Sequence, residues 1–328
     1  MAASQVTNDP DPPCLPPIPL LVRPLKTHGP AMSLRNAQLG ILVGVGDSPA
    51  AKVAVDWAAR DAERRNVSLT LVHAVSPNLT TWWDTPLSPG LAQWQKEHGR
   101  RLLDDAVKVV ENACGRGGPT QIHTEVLSSG AIPTLVDLSK DAEVVVAGSR
   151  GSGRWPGRIL GSVSTALVRH AQCPVAIIHD DDPLMPYPVQ APVLVGIDGS
   201  SASELATAIA FEEASRRNVG LIALHAWSDV DVSEWPGADW KATQSIGDQI
   251  LAERLAGGQK QYPDVNVHRV VVRDQPAREL VKRSEEAQLV VVGSRGRGGF
   301  AEMLVGSVSE RVAQLARMPV IVARQPHA

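Results

Sequence analysis

The sequence predicts an α/β fold built as two tandem open-sheet sandwiches, each a five-stranded parallel sheet with about four helices. Three observations lead there. Short apolar runs rich in Val, Ile and Leu alternate with longer amphipathic stretches, the pattern of a parallel sheet buried between helices. The same succession of blocks occurs twice in 328 residues, a length that suits two ordinary domains. Glycine-rich turns follow the strands, where an open parallel sheet keeps its ligand crevice.

The duplication is explicit. Ile41-Leu-Val-Gly-Val-Gly-Asp-Ser48 recurs as Val193-Leu-Val-Gly-Ile-Asp-Gly-Ser200, and Arg64-Arg-Asn-Val67 with His73-Ala74 recurs as Arg216-Arg-Asn-Val219 with His225-Ala226. Val144-Val-Val-Ala-Gly-Ser-Arg-Gly151 answers Val290-Val-Val-Gly-Ser-Arg-Gly296, and Leu160-Gly-Ser-Val-Ser164 answers Val305-Gly-Ser-Val-Ser309. In the first copy, apolar runs predict strands over 41–45, 69–74, 121–126, 144–147 and 175–178, with helices over 50–64, 93–113, 131–140 and 162–171. The second copy predicts strands over 193–197, 220–226, 267–272, 289–292 and 320–323. The fifth strand of each copy ends a sheet, and its unpaired amides and carbonyls predict edge-to-edge pairing of 175–178 with 320–323, a pseudo-dimer within one chain that leaves a homodimer open. The domains are therefore expected at 39–179 and 192–325, joined by a proline-broken linker over 180–191.

Residues 1–38 stand outside this pattern. The stretch 1–31 carries eight of 25 prolines, lacks a basic start and has no unbroken apolar core, so a disordered extension is expected and not a signal peptide. Translation from Met32 would also account for it. No apolar run is long enough to span a membrane. With 32 Lys+Arg against 35 Asp+Glu, nothing in the charge points to nucleic acid. Cys14, Cys114 and Cys173 have no metal or disulfide spacing and are expected to be free thiols in a cytoplasmic protein.

The second glycine loop carries the functional reading. Gly148 follows the fourth strand, Gly151 lies three residues on, nine residues intervene, and Gly161-Ser162 opens a helix; Gly293, Gly296 and Gly306-Ser307 repeat the spacing. Glycines let backbone amides approach phosphate oxygens, and the amides of Ser162, Val163, Ser307 and Val308 face outward at a helix start, where both serines could also cap. Glycine turns of this kind also arise for packing alone. Neither loop has the Lys of a Walker A motif, the Gly44-Val-Gly46 turn has Pro at the third fingerprint position, and the Arg-Gly-Gly stretch near Arg297 is a single scrap.

The glycine spacing, joined to a first strand ending Val-Gly-Ile-Asp-Gly-Ser, resembles the ATP-binding branch of the universal stress protein family, in its tandem two-domain form. The resemblance runs from about Leu39 to Arg324. It implies the adenine nucleotide alpha-hydrolase-like sheet order 3-2-1-4-5, one ATP pocket per domain with Mg2+ as a possible companion, and a nucleotide-dependent regulator of stress response or growth with no catalytic residues. Carried onto the second copy, the site residues are Gly196, Asp198, Ala226 and Asp229 on the nucleoside side. Gly293, Ser294, Arg295, Gly296, Arg297 and Gly298, then Gly306, Ser307 and Val308, hold ribose and phosphates. In the first copy they are Gly44, Asp47 and Ala74, then Gly148, Ser149, Arg150, Gly151, Ser152, Gly153 and Arg154, with Gly161, Ser162 and Val163. Gly46 stands where the second copy has Asp198, so the second site is expected to be the stronger.

His73 and His225 are read as structural, and Trp82, Trp83, Trp94, Trp227, Trp235 and Trp240 as packing. A slow ATPase or adenylyl-transfer enzyme and an interaction scaffold with vestigial pockets are the competing functions. An adenine nucleotide and a protein target are the expected partners.

Overall fold

The computed structural model describes residues 22–24, 38–76, 89–114, 117–151, 159–180, 190–226, 240–296 and 304–324. The apolar runs form strands in the order read from the sequence. After β1 (Val22–Pro24), the first half contains β2 (Ile41–Gly44), α1 (Pro49–Arg65), β3 (Leu69–Ala74), α2 (Pro89–Ala113), β4 (Ile122–Leu127), α3 (Ala131–Leu138), β5 (Val144–Gly148), α4 (Ser162–His170) and β6 (Val175–Ile178). The second half repeats it with β7 (Val193–Gly196), α5 (Ser201–Arg217), β8 (Leu221–Ala226), α6 (Trp240–Gln261), β9 (Val267–Val272), α7 (Pro276–Arg283), β10 (Leu289–Gly293), α8 (Ser307–Leu315) and β11 (Val320–Ala323). Each fourth strand runs one residue further than expected, into Gly148 or Gly293. The helix expected over 131–140 tightens into a 3-10 turn at Ser139–Asp141.

All strands join one sheet, ordered β1-β4-β3-β2-β5-β6-β11-β10-β7-β8-β9. Counting each half's own five strands from its N-terminus, both follow 3-2-1-4-5. Neighbours are parallel except at the seam, where β11 runs antiparallel to β6 with Val320 opposite Ile177 and Val322 opposite Val175. This is the edge pairing that the sequence predicts. The extension differs from expectation at β1, which adds parallel to β4 with Val22 opposite Ile122. An uncovered β4 edge would leave ladder groups unpaired, and Pro24, which has no amide to donate, ends the added strand.

Period-two alternation sorts the strand residues onto two faces. Ile41, Val43, Leu69, Leu71, Val144, Val146 and Ile178 pack with α1 and α2, in a layer that continues through α5 and α6 of the second half. Leu42, Val72, Val145, Ala147, Val175 and Ile177 pack with α3 and α4, and that layer continues through α7 and α8. Each such Val, Leu or Ile side chain, fully buried, contributes roughly 1.5–3 kcal/mol. Both faces being covered is why the strands read as continuous apolar runs.

The Arg-Arg-Asn-Val repeat ends α1 and α5. Asn66 and Asn218 adopt left-handed φ of 55° and 53°. The Asn66 amide bonds Glu63 O and the Val67 amide bonds Ala62 O, so the chain reverses while satisfying the last carbonyls. These ends meet across the seam. Asp61 accepts from Arg65 of its own helix at 2.7 Å and from Arg217 of α5 at 3.0 Å, while Glu213 accepts from Arg217 and from Arg65. Both carboxylates are 1% exposed, and Arg217 also lies over the Trp57 ring at 5.7 Å. The four charges obey the pseudo-two-fold that relates the halves.

Candidate functional site

The glycine loop between the fourth strand and the next helix is closed on itself. Gly161 N–H donates to Ser149 O and Gly306 N–H to Ser294 O, each at 2.8 Å. Ser164 donates to Gly148 O at 2.8 Å, and Ser309 to Gly293 O at 2.5 Å, so each helix start is tied to the strand end. The N-cap serines of α1 and α5 add a second tie: Ser48 donates to Arg150 O at 2.9 Å, and the Ser200 hydroxyl, shared with Asp198 Oδ1 at 2.7 Å, reaches Arg295 O at 3.2 Å. The first intrahelical bonds run from Thr165 to Gly161 and from Glu310 to Gly306. The amides of Ser162, Val163, Ser307 and Val308 therefore lie ahead of the helical ladder.

Ser162 and Ser307 are not caps. Gly161 and Gly306 hold that place in extended conformation and offer no capping side chain, which puts the serines at the first helical position. The roles of the glycines also divide. A Cβ on Gly148 would meet the Ala50 carbonyl carbon at 2.6 Å, and one on Gly293 that of Ala202 at 2.7 Å, so these glycines let strand and helix backbones touch. A Cβ on Gly44 or Gly196 would meet the Leu135 or Leu280 side-chain methyl at 2.8 or 3.0 Å, on the apolar side of each cavity. No atom of the described residues lies within 4 Å of a Cβ placed on Gly151.

Around these loops lie two cavities. Cavity two, about 280 Å3, is lined by Gly196, Ile197, Asp198, Leu224, Ala226, Leu280, Gly293, Arg295, Gly296, Gly306, Ser307 and Val308, among others. Cavity one, about 250 Å3, is lined by Gly44, Gly46, Ala74, Leu135, Gly148, Arg150, Gly151, Gly161, Ser162 and Val163, with Ser48 and His73 beside them. Each has an apolar wall at the ends of the first two strands and a glycine loop with a helix start opposite, the shape of a small-molecule site in an open sheet.

The universal stress protein family model matches residues 40–179 and 191–324, one match per half. The chain belongs to the universal stress protein family. A universal stress protein of Mycobacterium tuberculosis is 71% identical over 294 residues, covering 90% of this chain and 99% of the relative. One from Mycobacterium bovis is 53% identical over 294 residues, with 90% of this chain and 100% of the relative covered. The crystal structure of a universal stress protein from Archaeoglobus fulgidus shares the fold, with a TM-score of 0.64 at 20% identity over 88% of this chain and 98% of that one.

Among universal stress protein residues singled out from the sequence, the structure separates three groups. Most line the cavities as described. Ser149 and Ser294 are buried under the loops and Asp47 is exposed, and none of the three lines a cavity. Ser152, Gly153, Arg154, Asp229, Arg297 and Gly298 lie outside the described residues, as do Cys14, Trp82, Trp83, Trp227 and Trp235. The halves differ where the sequence differs. Asp198 accepts through Oδ1 from Ser200 N at 2.9 Å and Ser200 Oγ at 2.7 Å, while its Oδ2 lies 2.6 Å from where a Gly296 Cβ would stand. In cavity one Gly46 holds this place, and among the described residues only Ala51 Cβ comes within 4 Å of its own would-be Cβ.

Both histidine rings are held by the backbone, and His73 also lines cavity one. His73 Nδ1 bonds Val45 O at 2.9 Å and His225 Nδ1 bonds Ile197 O at 2.7 Å, so each ring donates to the chain just past the first strand. Arg150 pairs with Asp180 at 3.1 Å. No group of His, Cys, Asp and Glu among the described residues could hold a metal, and no described helix is long and apolar enough to cross a membrane. Sequence reasoning missed the Ser48 and Ser200 ties, although identity between the repeats marks both. It also missed Arg324, to which the repeats gave no clue because His179 holds its place in the first half.

Proposed function

We propose that each half binds one adenine nucleotide, ATP, and that the protein is a nucleotide-dependent cytoplasmic regulator acting on a protein target in stress response or growth. The observation that carries this reading is the repeated pairing of an apolar wall with a side-chain-free helix start. The amides of Ser307 and Val308 would receive phosphates in cavity two, with Arg295 and Gly296 beside them, and those of Ser162 and Val163 would do so in cavity one. Ala226, Leu224 and Leu280 would take the base, and Asp198 a ribose hydroxyl. ATP supplies adenine surface and triphosphate charge; Mg2+ would arrive with the triphosphate, since the described residues offer it no ligand cluster. Among the described residues no histidine, cysteine or lysine lines cavity two, which favours binding over turnover there.

Denaturing the purified protein should release ATP without ADP; mixed ATP and ADP would favour a slow ATPase. Losing the Asp198 hydrogen bond costs on the order of 1–3 kcal/mol, so Asp198→Ala should weaken cavity two roughly five- to hundred-fold. Gly46→Asp, which has room, should tighten cavity one. Equal affinity of the two sites in the unsubstituted protein refutes the asymmetry.

A further inference from the structure

Arg324 follows β11 immediately, and its side chain is 3% exposed. It reaches across the seam. Nε donates to Ala171 O at 2.9 Å and Nη1 to Val168 O at 2.5 Å, which places the guanidinium on the last carbonyls of α4 in the first half. Nη1 also donates to Leu304 O at 3.3 Å, two residues ahead of the Gly306 cap of α8. One planar cation thus holds the helix whose start lines cavity one and the loop that lines cavity two. A second strut runs beside it, from Arg169 on α4 to Glu310 on α8 at 2.7 Å. Burial and the nearby Arg295, which lines cavity two, push the Arg324 guanidinium down to about 10, so it stays charged at neutral pH.

We propose that the two nucleotide cavities are positively coupled and that Arg324 is the positioning residue that couples them. This rests on the nucleotide reading above. A nine-residue helix moves as one rod, so phosphate held at its start fixes the carbonyls at its end. Those carbonyls fix the guanidinium, whose rigid fork fixes Leu304 and the approach to the second helix start. A second nucleotide then meets a helix start already held in place, and binds more tightly without any further change of shape. Arg324 is not among the residues that line either cavity.

The test is a cycle on the full chain with Mg-ATP as the probe. Affinity of cavity one is measured by calorimetry with cavity two open, so that it fills first, and with cavity two blocked by Ala226→Trp, each with Arg324 and with Arg324→Lys, which keeps the charge and loses the fork. Closing cavity two should weaken cavity one by about five-fold or more when Arg324 is present. With Arg324→Lys the same closure should change it by less than about two-fold. The same factor in both backgrounds, or no effect of closure with Arg324 intact, overturns the proposal. Hydrogen exchange on the unsubstituted chain gives an independent reading: one equivalent of ATP, filling cavity two, should already slow the amides at the start of α4. Slowing only with the second equivalent overturns the coupling. ATP bound by neither cavity removes the nucleotide reading instead.

Discussion

Gly148 and Gly151 stand three residues apart in one loop and answer to different forces. A methyl on Gly148 would strike the backbone of α1 at 2.6 Å, whereas no atom of the described residues lies within 4 Å of one on Gly151. Gly148→Ala is therefore expected to lose about 1–3 kcal/mol in chemical denaturation. Gly151→Ala should leave that stability within about 0.5 kcal/mol and weaken ATP at cavity one, because the methyl enters the cavity. The sequence showed both glycines twice over and could not tell them apart, since spacing reports that a side chain is absent and says nothing of what fills its place. Asp198 was legible because its partner half carries Gly46. The small-to-large exchange in the second half was not: a Cβ on Gly258 of α6 would stand 2.3 Å from the Phe211 ring, where the first half has Ala59 instead of a ring. Burial also settles the thiols. Cys173 is pushed up to about 12 and Cys114 to about 11, so neither should react with a thiol reagent at neutral pH in the folded protein, and a rapid reaction of either would contradict their placement.

Strands and helices were the most legible scale because parallel sheets buried on both faces leave unbroken apolar runs. Boundaries moved by a residue or a few where local chemistry intervened, as at Gly148, which continues its strand, or at Pro89, where α2 starts ahead of the expected 93. The pairing of α1 with α5 was not legible. Arg64-Arg65 and Arg216-Arg217 read as a repeat, and only the fold shows that Arg65 and Arg217 exchange partners across the seam. Removing one member of that buried set strands opposite charge in a dry place. Asp61→Ala should cost about 3–5 kcal/mol, while an exposed pair such as Arg60 with Asp56 should be worth less than about 1 kcal/mol. Comparable losses for the two would contradict the buried set.

At the scale of the whole molecule the seam makes one continuous sheet from two homologous halves, so the conditions that loosen the seam loosen the protein. Burial raises the Asp61 carboxyl, but Arg65, Arg217 and Arg64 outweigh it and hold the group below the ordinary carboxylate range. A depressed carboxyl stabilises the fold above its unfolded value, about 3.9, and that contribution is lost as pH falls through the lower folded value. Stability should be flat with respect to this group above about pH 5 and should decline below about pH 4, and Asp61→Asn should flatten the acid limb. The duplicated architecture and both cavities could be read before any coordinates, because duplication repeats its own spacing. The link through Arg324 could not, because it joins residues 153 apart in sequence through backbone carbonyls that no side-chain pattern reports.

The central claim is that one chain carries two unequal pockets for the same nucleotide. Calorimetric titration of the unsubstituted full-length protein with Mg-ATP measures this directly. The account predicts two equivalents bound per chain, the first resolved from the second and weakened by substitution at Asp198. A folded protein that takes up no ATP, or that saturates at one equivalent, would contradict it.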